Sequence, residues 1–136
     1  MVYGIGTDII SILRIKEALE REPDRFAQKI LGVDELIKYR GYQQTNVERS
    51  ICYVASRFAA KEAFSKALGL GMRDPLSWGG IQVVNNAVGK PDFVFSDALA
   101  QWMVERNLSA QISISDEEKY AVAFVIILQA AANHSM

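Results

Sequence analysis

The sequence predicts one α+β domain over residues 1–136. Three observations predict it. Val2 to Ile10 alternates like a strand, and Thr45 to Gly71 carries the spacing of one long helix. Two pairs of apolar runs, Ile81 to Val84 with Asp92 to Phe95 and Ser109 to Ser115 with Tyr120 to Leu128, are each joined by a turn and read as antiparallel hairpins. A chain of this size buries roughly two-thirds of its unfolded surface as one domain, so no second core is required. Hydrophobic residues at 50% with 23% charged place it among globular, water-soluble chains. No apolar run approaches the roughly 20 residues of a membrane span. The N-terminus lacks a basic stretch followed by an apolar core, so a cytoplasmic protein without membrane contact is expected. A net charge of -1 argues against broad nucleic-acid binding. The single cysteine, Cys52, lies among apolar neighbours and is expected to be an inert core thiol.

The first strand has two unlike faces. Tyr3, Ile5, Thr7 and Ile9 share one, while Val2, Gly4, Gly6 and Asp8 share the other. The two glycines leave a bare track along which a backbone or a ligand can approach closely. Asp8 ends that track, either as a site carboxylate or as the cap of the next helix. From Ser11 to Arg40 the chain reads as helical in two or three pieces, with Pro23 in the first turn of the second. Ile12, Ile15 and Leu19 give the first piece a buried side; Phe26, Ile30 and Leu31 do so for the second. Arg14, Arg21 and Arg25 fall near one line, with Lys29 beyond, but Glu17, Glu20, Glu22 and Asp24 are interleaved. That face is either solvated or a dock for an acidic helical partner, and the residues alone favour solvation.

Gly41 to Asn46 is expected to be a polar connector. In the long helix, Thr45 with Glu48 fits a capping box and Gly69 fits a stop. Its apolar stripe runs through Ile51, Val54, Ala55 and Phe58, and one further turn lands on Glu62, flanked by Lys61, Ser65 and Lys66. Burying a carboxylate alone costs several kcal/mol or forces its protonation. Glu62 therefore needs a cation, an ion-pair partner or a wet cleft. The following loop, Gly69 to Gly80, lacks the spacing of a Walker loop. Gly89 sits at the first hairpin turn and Pro91 at a strand start. Asp97 is expected to cap a short helix reaching about Arg106, with Leu99, Trp102 and Met103 inward. In the second hairpin Ala110, Ile112 and Ile114 share a face, and the returning strand is apolar on both sides, which asks for a helix or a second subunit across it. His134, the only histidine, lies in a patternless tail and is a poor catalytic candidate, so Ser-His and Cys-His mechanisms are set aside.

Asp8 and Glu62 are each out of place among apolar residues, and they meet if the first strand packs on the long helix. Carboxylates completed by waters and substrate phosphates are the usual protein site for Mg²⁺. Lys61, Lys66 and Arg57 lie along the same helix and offer cations to phosphate oxygens. With no nucleophile at hand, the chemistry points to direct transfer from a phosphate-bearing donor to an acceptor. The bland alternative pairs Glu62 with Lys66 at i+4 and makes Asp8 a cap.

GIGTDI at Gly4 to Ile9, followed by RFAAKEAFSKALG at Arg57 to Gly69, resembles the short bacterial holo-(acyl-carrier-protein) synthases, a 4′-phosphopantetheinyl transferase family of fatty-acid biosynthesis. The likeness extends over nearly the whole chain, through Arg14-Ile15, RFAQKIL at Arg25 to Leu31, Glu35 and GKP at Gly89 to Pro91. It implies an antiparallel sheet packed against the long helix, in a homotrimer with active sites at subunit interfaces. It implies that Asp8 and Glu62 bind Mg²⁺ with the diphosphate of coenzyme A, and that Lys66 acts beside them in catalysis. Lys61, Ser65 and Lys66 match positions near phosphate and pantetheine, with Arg57 and Gly69 expected to bind the coenzyme beside them, and Gly89, Lys90 and Pro91 match a turn lining the coenzyme. Arg14, Arg21 and Arg25 match the surface that receives apo acyl carrier protein, which reverses the solvated reading. The implied reaction moves 4′-phosphopantetheine to a carrier serine and releases adenosine 3′,5′-bisphosphate. One departure stands out: Asp116 to Lys119 occupies the turn where some relatives carry a histidine.

Overall fold

In the computed structural model of the protein, which describes residues 1–131, the chain runs β1 (Val2–Ser11), α1 (Ile12–Arg21), α2 (Pro23–Ile30), α3 (Val33–Thr45), α4 (Val47–Leu68), β2 (Ile81–Asn85), β3 (Pro91–Phe95), α5 (Asp97–Glu105), β4 (Leu108–Asp116), β5 (Tyr120–Gln129). β1, β5 and β4 form an antiparallel sheet in that spatial order, and β2 pairs with β3 in a separate hairpin. Gly6 lies opposite Val125 and Asp8 opposite Ala123. The expectation of an antiparallel sheet against one long helix therefore holds.

The bare track of β1 carries the backbone of α4. A Cβ placed on Gly4 would sit 2.0 Å from the Ala67 carbonyl oxygen, and one on Gly6 would sit 2.0 Å from that of Ala63. Only hydrogen at these two positions lets strand and helix approach so closely. Fully buried Ala121, Ala123, Val125 and Ile127 of β5 present small and branched side chains to the same helix, whose facing residues Ala59, Ala60 and Ala63 are also fully buried. On another side of α4, Phe64 packs against Phe93 and Phe95 at ring-centroid distances of 5.0 and 5.1 Å. Val54 and Ala55 of the expected stripe are fully buried and Ile51 and Phe58 partly so. The stripe undercounts the burial, because α4 packs against both sheets and against α1, α2 and α3.

Several expected boundaries move. α3 continues through Gly41 to Thr45 where a connector was expected. Tyr42 packs on Tyr53 of α4 with ring centroids 5.5 Å apart, and this tertiary contact outweighs the weak helix propensity of glycine. Asn46, not Thr45, caps α4, its side chain accepting from the Arg49 N–H at 3.1 Å. Gly69 ends α4 in the left-handed conformation, at φ 78. Asp8 is not a cap: Ser11 caps α1, accepting from the Arg14 N–H. Ser96 likewise takes the capping role expected of Asp97, which is the first residue of α5. His134 lies outside the described residues.

Candidate functional site

β1 and α4 bring Asp8, Glu62 and Lys66 together. The Lys66 ammonium donates to Asp8 Oδ1 and to the Thr7 carbonyl oxygen, each at 3.1 Å, with its side chain 53% exposed and that of Asp8 16%. Glu62, one turn before Lys66, is half-buried. Burial pushes its carboxyl above the usual carboxylate range, the nearby charge of Asp8 pushes it further, and Lys66 pulls it back. Two carboxylates from different elements thus share a partly desolvated edge with one cation between them. The i+4 pairing of Glu62 with Lys66 expected by the bland reading is not an ion pair here; Lys66 is committed to Asp8.

Among the described residues, no three His, Cys, Asp or Glu side chains gather in one place. The protein donors available to a metal at this edge are the two carboxylates. Hard oxygen ligands of this charge, with room left for waters and substrate phosphates, fit Mg²⁺ rather than a softer ion. The electrostatic cost that Asp8 imposes on ionised Glu62 is also what a divalent cation relieves.

The neighbouring charged residues of the motif have different fates. Lys61 is fully buried, 0% exposed, and its three protons reach the Ile30 carbonyl at 2.6 Å, the Trp78 carbonyl at 2.8 Å and Glu35 Oε1. Burial pulls its ammonium below the usual lysine range and the Glu35 carboxylate opposes that pull. The role beside phosphate drawn from the resemblance finds no open proton on Lys61. Ser65 is buried as well, its hydroxyl donating to the Glu62 carbonyl at 2.9 Å. Arg57 is mostly buried, donating to the Val83 carbonyl at 3.3 Å and to Ser56 Oγ at 3.0 Å while its guanidinium lies over the Tyr53 ring. Burial of that ring raises the Tyr53 hydroxyl to about 12 despite the Arg57 charge.

Arg57 borders a cavity of about 380 Å³ together with Arg49, Tyr42, Asn85, Cys52 and Asp116. Arg49, which pattern reading passed over, stacks on Tyr42 at 4.8 Å and bonds its hydroxyl. Its signal in the sequence was its place two turns before Arg57 on the same helix. Cys52 is half-exposed here, and burial, Asp116 and Glu48 all raise its thiol, so little thiolate forms. Gly89 makes its turn at φ 82, with Asn86 Oδ1 accepting from the Lys90 N–H. Lys90 and Pro91 border a second cavity of about 380 Å³, with Gln111, Ser113, Phe124 and Ile126 of the outer sheet face. Arg14, Arg21 and Arg25 are exposed on α1 and α2.

Residues 4–125 match the 4′-phosphopantetheinyl transferase superfamily. A holo-[acyl-carrier-protein] synthase of Herminiimonas arsenicoxydans is 54% identical over 127 residues, 93% of this chain and 98% of that protein. The crystal structure of the Neisseria meningitidis holo-[acyl-carrier-protein] synthase superposes with a TM-score of 0.86 at 41% identity, covering 95% of this chain and 100% of that one. A Bacillus anthracis synthase solved in complex with CoA (3′,5′-ADP) superposes with a TM-score of 0.79 at 35% identity, covering 96% of this chain and 99% of that one.

Proposed function

The chain belongs to the 4′-phosphopantetheinyl transferase superfamily, and on that premise we propose that it is a holo-[acyl-carrier-protein] synthase, moving 4′-phosphopantetheine from coenzyme A to a serine of apo acyl carrier protein for fatty-acid biosynthesis. The observation that carries this reading is the meeting of Asp8, Glu62 and Lys66 at the edge between β1 and α4. Asp8 and Glu62 would hold Mg²⁺. When bound, the ion neutralises the diphosphate of coenzyme A. The serine oxygen forms a bond to the β-phosphorus, the bond to the adenosine-bearing phosphate breaks, and adenosine 3′,5′-bisphosphate leaves. Lys66, whose side chain is 53% exposed, exchanges its bond to Asp8 for one to a phosphate oxygen as charge develops. The serine proton goes to Glu62 or to a water at the same edge.

The same reading assigns the coenzyme its remaining contacts. Arg49 and Arg57 offer cations to phosphate in one cavity, and Gly89 to Pro91 line the other. Arg49 and Glu62 are thirteen residues apart on α4, roughly 220° around its axis, so they face different sides of the helix. A ligand touching both kinds of surface is best held between copies. The outer face of the three-stranded sheet supports this, since Ile5 and Ile9 are each 61% exposed there, joined by Tyr3 and Phe124. We therefore assign a homotrimer whose sites lie at subunit contacts, with Arg14, Arg21 and Arg25 receiving the acidic carrier. No described helix is long and apolar enough to cross a membrane; a cytoplasmic location is part of the proposal.

The test is direct. Incubation with apo carrier protein, coenzyme A and Mg²⁺ gives a carrier whose mass rises by one phosphopantetheine. Asp8→Ala and Glu62→Ala remain folded and give no mass gain. Normal transfer by either variant at saturating Mg²⁺ removes the metal assignment, and coenzyme A cleavage without carrier would point to a phosphohydrolase.

A further inference from the structure

Two fully buried charges lie outside the chemistry assigned above. Glu35 at the start of α3 is 0% exposed, as is Lys61. Glu35 Oε1 accepts from the Gly32 N–H at 2.9 Å and from Lys61, while Oε2 accepts from the Val83 N–H at 2.8 Å. Lys61 adds the Ile30 and Trp78 carbonyl oxygens. Two side chains therefore tie together the last turn of α2, the first turn of α3, the loop before β2, β2 itself and α4. No buried side-chain polar atom among the described residues is left without a partner, so each polar atom of this pair has at least one.

We propose that Lys61 and Glu35 are positioning residues for carrier recognition: the pair clamps the C-terminal end of α2, the helix whose first turn carries Arg25, onto the helix that carries Glu62. Ile30 O is the point of attachment. It belongs to the terminal turn of α2, where carbonyls lack partners in their own helix, and an ammonium there both completes a hydrogen bond and suits the helix dipole. Loss of the clamp frees α2 to shift against α4, and the basic face then meets an acidic helix in the wrong register. None of the coenzyme's assigned contacts, Asp8, Glu62, Lys66, Arg49, Arg57 and the Gly89 turn, is bonded to Lys61 or Glu35, so coenzyme binding is expected to change less than carrier docking. Lys61 thus acts on the carrier side of the reaction, opposite to the coenzyme-side role drawn from the resemblance.

The inference rests on the transferase reading and on docking through Arg25, and the experiment separates them. Steady-state kinetics with the full-length protein varies coenzyme A and apo carrier independently. Lys61→Met is expected to raise KM for the carrier about tenfold while KM for coenzyme A stays within about threefold. If Lys61→Met does not fold, Glu35→Gln is judged by the same split. It removes the charge but retains an amide acceptor, and a shift of about threefold in carrier KM alone is expected. A rise in KM for coenzyme A, an equal rise in both, or no change in either overturns the proposal. Arg25→Glu is the control for docking: if it leaves carrier KM unchanged, the docking assignment has failed rather than the clamp. Absence of transfer by the unmodified protein fails the functional reading itself.

Discussion

Gly6→Ala is the sharpest probe of how β1 and α4 build the site. The new Cβ would lie 2.0 Å from Ala63 O, 2.7 Å from Ala67 N and 3.0 Å from Ala63 C, all of them backbone atoms inside a helix. Ordinary van der Waals contact begins at 3.4 Å, so relief demands a separation of roughly 1.4 Å between strand and helix. No side chain can swing aside to provide it. β1 is meanwhile held to β5 across the Gly6–Val125 register, so the sheet must move as well. Overpacking of this kind costs about 1–3 kcal/mol, and more where backbone opposes backbone. At about 4 °C per kcal/mol, Tm should fall by about 4–12 °C. Asp8 is two residues further along the strand, and a shift of about 1 Å in a catalytic group is enough to cost about a hundredfold in rate. The comparison variant is Gly41→Ala in α3, where a Cβ meets nothing within 4 Å. Replacing that exposed helical glycine should stabilise by about 0.5–1 kcal/mol without changing kcat. Thermal unfolding and carrier-modification rates at saturating substrates measure both. A Gly6→Ala protein with unchanged Tm and kcat within twofold would refute the close backbone packing and the site geometry resting on it.

Three further outcomes are expected. Glu62 has a raised carboxyl pKa in the fold, so its stabilising contribution is present below the unfolded value of about 4.3 and is lost as pH rises through the folded value, leaving the ionised group a net cost near neutrality. Glu62→Gln without divalent metal should therefore melt slightly higher than the parent at neutral pH, with the difference closing in acid; a lower melting point would contradict the sign. Asn46→Ala removes the α4 cap and should cost about 1 kcal/mol in urea unfolding, whereas Thr45→Ala, whose hydroxyl only returns to the Gly41 carbonyl, should stay within about 0.5 kcal/mol. Ile5→Asp on the outer sheet face should turn the proposed trimer into monomers in sedimentation and depress transfer together with it, and an unchanged mass would place the interface elsewhere.

What could be read in advance depended on how locally each feature was encoded. The glycine track was legible because alternation along one strand shows which face is bare, and Glu62 because a carboxylate interrupted a periodic stripe. The partnership of Lys61 with Glu35 was not. The two are twenty-six residues apart, and within the helix Lys61 looks like any charge beside a stripe. The clue was that α4 is buried on nearly every side, a property of what packs around it rather than of its own sequence. The cap slipped by one residue for a related reason: Thr45 and Asn46 are both competent caps. The choice falls to Asn46 because its backbone, at φ -158 and ψ 95, is the one that leaves the helical conformation.

The adjacency of Lys61 and Glu62 links these features. Consecutive helical residues point about 100° apart, so one turns into the corner made by α2, α3 and β2 while the next reaches the edge of β1. A helix lined by alanines against a glycine track has little to fix its rotation, since small side chains leave shallow ridges. Directional bonds can fix it. With three oxygen partners, Lys61 resists a turn of α4 away from α2, α3 and the loop before β2. A turn large enough to break these bonds would leave an ammonium and a carboxylate without partners in a site closed to water, which costs about 3–5 kcal/mol. A buried pair of little net value to stability can in this way specify how α2 and α3 sit on the helix that carries Glu62.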